Sequence, residues 1–375
     1  MENFFSIKDV KDINELLANA LEVKANPIAN KELGRNKTLG LIFYNSSLRT
    51  RISSQKAAYN LGMDVIVLNI GSDGWELESK DGVVMDKGTA EHIKEAAAVI
   101  SEYVDVIGIR CFASLKDRAV DYSEEVLQNF IKHATVPIVN LESSTLHPLQ
   151  SFADLITIET NKTKPRPKVV ITWAPHPRAL PQAVANSFIE WMNEADVELV
   201  VTHPKGYELA PEFTNGIATE YDQKKAFEDA DFIYAKNWSS YTEYGQILNP
   251  DLSWCVNSDK MSVTNNAKFM HCLPVRRNVV VSDEVIDSEN SIVIEQASNR
   301  VVSIQTILQE FIKIFDELNL EVFEPFERTK PLIQKESGWA YDVARSNFDD
   351  LKKCDCIFAI VNGNPPDEGV MIELG

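Results

Sequence analysis

Four apolar runs in the first half of the chain, residues 39–44, 65–68, 104–109 and 136–139, are each long enough for one buried strand. The stretches between them have helical spacing. Such alternation confines the backbone to a parallel sheet covered by helices, because parallel neighbours must be joined by a long crossover. After the surface connection Lys162-Thr163-Lys164-Pro165-Arg166-Pro167 the alternation resumes. Strands are expected at 169–173, 198–202, 232–235 and 268–270, and helices at 179–195 and 222–228. A chain of 375 residues that is 44% hydrophobic can bury two such cores. The expected fold class is therefore α/β, with two doubly wound parallel-sheet domains at 1–155 and 156–300. A helix is expected at 301–315, with Ile304, Ile307, Leu308 and Phe311 on one apolar face. Ligands of open α/β sheets lie beyond the carboxyl ends of the strands, which places an active site in the cleft between the domains.

Ser46-Ser47-Leu48-Arg49-Thr50-Arg51 stands where the first strand gives way to a helix. Unpaired N–H groups at the helix start, the macrodipole and a guanidinium together favour an anion there. An ordinary Ser/Thr N-cap is the alternative. Arg110 follows the run 104–109, at the carboxyl edge of a parallel strand. His147-Pro148-Leu149-Gln150 opens a helix with proline near its start, and His271-Cys272-Leu273-Pro274 follows the strand at 268–270. No Gly-x-Gly-x-x-Gly follows any strand, which argues against dinucleotide binding.

A formal net charge of -19 excludes general nucleic-acid binding and requires local cations wherever an anion is held. No run approaches the length of a membrane span, and Met1-Glu2-Asn3 opens neither a basic nor an apolar leader, so a cytoplasmic protein with no membrane partner is expected. Five cysteines without framework spacing suit a reducing compartment. Cys354-Asp355-Cys356 and His271-Cys272 lack a second ligand pair, and no metal is expected.

These segments resemble the aspartate/ornithine carbamoyltransferase family, whose signatures Ser-x-Arg-Thr-Arg, His-Pro-x-Gln and His-Cys-Leu-Pro occur here in family order across residues 1–315. The resemblance implies cofactor-free transfer of a carbamoyl group from carbamoyl phosphate to an amine, by positioning and charge stabilisation. It implies that Ser47, the backbone of Leu48, Arg49 and Thr50 hold the phosphate, joined by Arg300 from a loop at 297–300. Arg110, His147 and Thr50 would polarise the carbamoyl oxygen, and Gln150 with the carbonyls of Cys272 and Leu273 would hold the carbamoyl amide. A capping or core role is the alternative for His147. Direct attack by the amine leaves the Cys272 thiol no nucleophilic task. Trp75 matches a loop residue that enters a neighbouring subunit's site, implying a homotrimer; loop packing is its alternative.

Trp173-Ala174-Pro175-His176-Pro177-Arg178 and Lys236-Asn237-Trp238 resemble the family's N-acylornithine branch. Glu142, His176, Lys236 and Arg276 are the implied partners of the acylated amine. Members acting on N-acetylornithine carry Glu where Ala90 stands, and members acting on N-succinylornithine carry Pro. Alanine neither repels nor obstructs a succinyl carboxylate, so N-succinylornithine is the expected donor and N-acetylornithine the alternative.

The stretches 320–326, 349–361 and 366–375 resemble a nucleoside 2-deoxyribosyltransferase, with Glu373 at the nucleophile's place. The sequence ends two residues later and shows no glycine-rich first strand of that family. Residues 316–375 are thus expected to be a partial α/β extension without nucleoside chemistry. Deoxyribosyl transfer and a noncatalytic sensor are the alternatives from other classes. Retention of Arg49, Thr50, Arg110, His147 and Gln150 weighs against the sensor.

Overall fold

The computed structural model describes residues 1–248 and 251–317. Residues 1–314 form one compact unit. Its strands are β1 (Thr38–Phe43), β2 (Asp64–Asn69), β3 (Leu77–Glu78), β4 (Glu91–His92), β5 (Val106–Arg110), β6 (Ile138–Glu142), β7 (Lys168–Trp173), β8 (Glu198–Thr202), β9 (Ala218–Glu220), β10 (Phe232–Lys236) and β11 (Lys268–Met270). They build two fully parallel sheets, ordered β2-β1-β5-β6 and β11-β10-β7-β8-β9, and a small parallel pair, β3-β4. In both large sheets the order reverses about the first strand, which makes them doubly wound as expected. β9 and the β3-β4 pair are additions that sequence reading did not anticipate. Their two or three residues carry no periodicity.

β1 and β5 are buried almost throughout, as central parallel strands covered on both faces must be. Four helices position the site: α1 (Arg49–Leu61), α2 (Pro148–Asn161), α3 (Ala183–Glu194) and α4 (Val293–Glu317). α1 ends on Gly62 at φ +79°, whose N–H reaches the Ala58 and Tyr59 carbonyls. A Cβ there would lie 2.1 Å from the Lys31 carbonyl oxygen, so only glycine fits.

α2 starts with Pro148 in its first turn and is buried without a break from Pro148 to Ile158. It packs on α3, where Phe152 stacks on Trp191 with ring centroids 5.1 Å apart. α4 begins at Val293, eight residues before the expected start at 301. Ile304, Ile307, Leu308 and Phe311 enter the core shared with β1 and α2. Asn60 of α1 donates to Gln305 at 2.8 Å and Ser303 donates to the Leu149 carbonyl at 2.7 Å, so α4 does return to the first sheet. The Cys354-Asp355-Cys356 motif, Glu373 and the proposed extension lie outside the described residues. Among the described residues no cluster of metal-ligating side chains occurs, and no helix is long and apolar enough to cross a membrane.

Candidate active site

The carboxyl ends of β1, β5 and β6 deliver three of the anticipated segments to one place. Beyond β1 the chain turns through Ser46 and Ser47 into α1, with Leu48 at the N-cap making no side-chain capping bond. Ser47 Oγ accepts the Thr50 N–H at 3.2 Å, so a serine does cap, one residue before the formal cap position. Capping and anion binding are compatible here, because the Arg49 side chain remains available. Its Nε is buried and has no hydrogen-bond partner among the described residues.

Thr50 is the meeting point of two further arginines. Its Oγ1 accepts from Arg300 Nη2 at 2.7 Å and from Arg110 Nη1 at 3.4 Å. Arg110 ends β5, packs over the Phe112 ring and pairs with Glu142 at the end of β6. Arg300 lies within helix α4, which corrects its expected placement on a loop. Ala297-Ser298-Asn299-Arg300 has the short polar residues of a loop, yet Asn299 donates to Thr157 at 2.8 Å and Ser303 binds α2, so tertiary hydrogen bonds hold the stretch helical. Burial lowers the Arg300 guanidinium to about 10, which still leaves it charged near neutral pH.

His147 occupies the N-cap of α2 and is buried, but its side chain does not cap. Its Nε2 lies 3.5 Å from Glu142 Oε2 and 3.5 Å from Arg300 Nη2, which removes the capping alternative. Burial pushes His147 down to about 3, so the imidazole is neutral at pH 7. Burial alone would raise Glu142, but the positive charges around it, Arg110, Lys236 and Arg300 among them, outweigh burial and hold the carboxyl below its ordinary value. With His147 neutral, the charges facing Glu142 are those of the two arginines and Lys236, the last residue of β10. Lys236, from the second sheet, thus contributes to the field at Glu142.

The loop after β11 continues from that second sheet through His271, Cys272 and Leu273. The Leu273 N–H donates to His271 Nδ1 at 2.8 Å, and Leu273 holds φ +54°, a strained conformation for a branched residue. The Leu273-Pro274 peptide is cis. Arg276 Nε donates to His176 Nε2 at 3.1 Å, and burial lowers His176, in keeping with a neutral, accepting ring. These two residues line a pocket of about 540 Å³ with Pro175, Leu252, Val275 and Arg277. Arg277 is engaged by Asp283 and Asp287, so Arg276 is the better placed cation.

Trp75 and Ala90 do not join these groups within one chain. Both are exposed, on the loops around the β3-β4 pair, and Trp75 donates to Glu91 at 2.7 Å. Glu142, expected to face the amine donor, pairs with Arg110. Sequence reading missed Asp154, Gln296 and Glu124. Glu124 accepts from Ser143, Ser144 and Thr145, which fixes the loop leading into His147. The available signal was polar residues at helical spacing within otherwise apolar helices: Gln150 and Asp154, then Gln296, Asn299 and Ser303.

The model of the aspartate/ornithine carbamoyltransferase carbamoyl-P binding domain matches residues 2–160, and that of the Asp/Orn binding domain matches 181–311. A nucleoside 2-deoxyribosyltransferase model matches residues 303–375. The chain is 56% identical over 315 residues to the N-succinylornithine carbamoyltransferase of Bacteroides thetaiotaomicron, covering 84% of this chain and 99% of that protein. It is 34% identical to the N-acetylornithine carbamoyltransferase of Xanthomonas campestris, covering 80% and 95%. A solved N-acetyl-L-ornithine transcarbamylase with one glutamate replaced by alanine, complexed with carbamyl phosphate and N-succinyl-L-norvaline, is 33% identical and superposes with a TM-score of 0.78, covering 83% of this chain and 100% of that one. The site's arginines, its strand-end geometry and these matches over nearly the full length of the relatives agree: the chain belongs to the aspartate/ornithine carbamoyltransferase family.

Proposed function

We propose that the protein transfers the carbamoyl group of carbamoyl phosphate to the side-chain amine of N-succinyl-L-ornithine, giving N-succinyl-L-citrulline and phosphate in arginine biosynthesis. The observation that carries the reaction is the convergence of Arg49, Arg110 and Arg300 about Thr50 at the start of α1. Three guanidinium groups beside a helix N-terminus suit a phosphate that must leave with its charge increased. In the transfer, the neutral amine nitrogen bonds to the carbonyl carbon, the bond from that carbon to the phosphate oxygen breaks, and phosphate takes up the amine proton. Arg110, Thr50 and neutral His147 steady the carbonyl oxygen as charge develops on it. Each such donor typically lowers a barrier by about 2.7 to 4 kcal/mol. Gln150 and the carbonyls of Cys272 and Leu273 accept the carbamoyl NH2.

The succinyl donor is favoured by Ala90 and by the higher identity to the N-succinylornithine relative. Solved relatives complexed with N-succinyl-L-norvaline include ones in which a single glutamate has become valine, serine, alanine or proline, so loss of that glutamate accompanies the succinylated ligand in each of them. Lys236, His176 and Arg276 supply donors for the amide and carboxylates, at a pocket large enough for the acyl chain. In this reading Trp75 serves a neighbour's site in a homotrimer, which its exposure supports. The experiment compares ureido-product formation from carbamoyl phosphate with ornithine, N-acetylornithine and N-succinylornithine. The highest kcat/KM is expected with the succinylated amine. A preference for N-acetylornithine would move the protein to that specificity, and no product with any amine would overturn the reaction.

A further inference from the structure

Asp154 lies one turn beyond Gln150 on α2 and is completely buried. Its Oδ1 accepts from Gln150 Nε2 at 2.8 Å and from Gln296 Nε2, on α4, at 2.7 Å. A carboxylate only accepts, so both glutamines must present their NH2 groups to it, and both amide oxygens are turned elsewhere. Gln296 Oε1 accepts the His271 N–H at 2.8 Å, and His271 in turn accepts the Leu273 N–H at 2.8 Å. That pair of bonds fixes the backbone of Cys272 and Leu273. Gln150 Oε1 is buried and has no partner among the described residues. A buried acceptor left unpaired costs stability unless a ligand donates to it.

We propose that Asp154 is a positioning residue that makes the site selective for an acyl phosphate bearing an NH2 group, by orienting Gln150 and Gln296 so that only acceptors face the carbamoyl nitrogen. This rests on the reading that Gln150 and the 272–273 carbonyls hold the carbamoyl amide. One carboxylate thereby sets acceptors from both sheets. Without it, Gln150 is free to turn its NH2 inward, and a donor would then face a donor. Asparagine keeps an acceptor oxygen on the same branch and preserves the orientation.

The test is made at pH 8, above the value of about 7 to which burial raises this carboxyl. Binding of carbamoyl phosphate, acetyl phosphate and inorganic phosphate is measured for the wild type, Asp154→Ala, Asp154→Asn and Gln296→Leu. Acetyl phosphate carries a methyl group in place of the NH2. Asp154→Ala is expected to weaken carbamoyl phosphate by about tenfold or more while leaving the other two within about twofold. Its KM for carbamoyl phosphate should rise more than its kcat falls. Asp154→Asn should retain the wild-type preference, and Gln296→Leu should lose part of it, which serves if the alanine variant does not fold. Loss of all three ligands alike, or an undiminished preference for carbamoyl over acetyl phosphate in both Asp154→Ala and Gln296→Leu, overturns the inference. A wild type that fails to bind carbamoyl phosphate overturns the reaction itself.

Discussion

Ala90 is exposed and its N–H donates to the Glu76 carbonyl at 3.4 Å, so a larger side chain can be accommodated without disturbing the core. A glutamate there brings a negative charge to the succinyl carboxylate and leaves an acetyl group untouched. Ala90→Glu is expected to lower kcat/KM for N-succinylornithine by about tenfold relative to N-acetylornithine, a like-charge penalty of roughly 1.4 kcal/mol. Parallel steady-state kinetics with both amines checks this, and an unchanged ratio would show that residue 90 lies away from the acyl group. Residues with a strand-end or helix-start position were legible in the sequence: Ser47, Arg49, Thr50, Arg110 and His147 stand at element boundaries that hydrophobic patterning marks. Asp154 was not legible. Its carboxylate lies inside a helix, and only the fold shows that Gln296, 142 residues away, meets it.

At the scale of elements, α2 carries two buried titrating groups with opposite leanings. Burial pushes His147 from 6.5 down to about 3 and Asp154 from 3.8 up to about 7. Between pH 6.5 and 3 the unfolded chain binds a proton that folded His147 refuses, so acidification through that window costs stability. Between pH 3.8 and 7 folded Asp154 retains a proton that the unfolded chain has lost, so raising pH through that window costs stability. The shifts are of similar size and the windows overlap, hence the two slopes largely offset. Asp154→Asn removes one of them. The variant's stability relative to the wild type should therefore increase from pH 4.5 to pH 8, as read by urea unfolding at both values. A constant or decreasing difference would mean that Asp154 is ionised throughout. α4 teaches a related lesson. Its stretch 297–300 reads as loop because Ser298 and Asn299 are weak helix formers, and tertiary hydrogen bonds from Asn299 and Ser303 to α2 override that propensity.

For the whole molecule, the two sheets join in one core while the loops around β3 and β4 stay exposed, presenting Trp75, Val84 and Met85. A tryptophan 58% exposed yet hydrogen-bonded through Nε1 to Glu91 is oriented rather than free, as a residue serving a neighbouring chain should be. In a cyclic trimer each site would combine its own Arg49 with the neighbour's Trp75. Arg49→Ala removes a charged, partly desolvated donor, and alone it should lower activity by about a hundredfold or more while leaving the fold intact. Trp75→Ala removes a side chain that the chain's own core does not use, and should also impair turnover without altering the melting temperature. When the two variants are mixed after subunit dissociation, every mixed cyclic trimer has one site with both residues native. Random 1:1 reassembly makes about three quarters of the trimers mixed, so roughly a quarter of wild-type activity should return. Activity no greater than the average of the two parents would show that Trp75 and Arg49 do not meet across a subunit boundary.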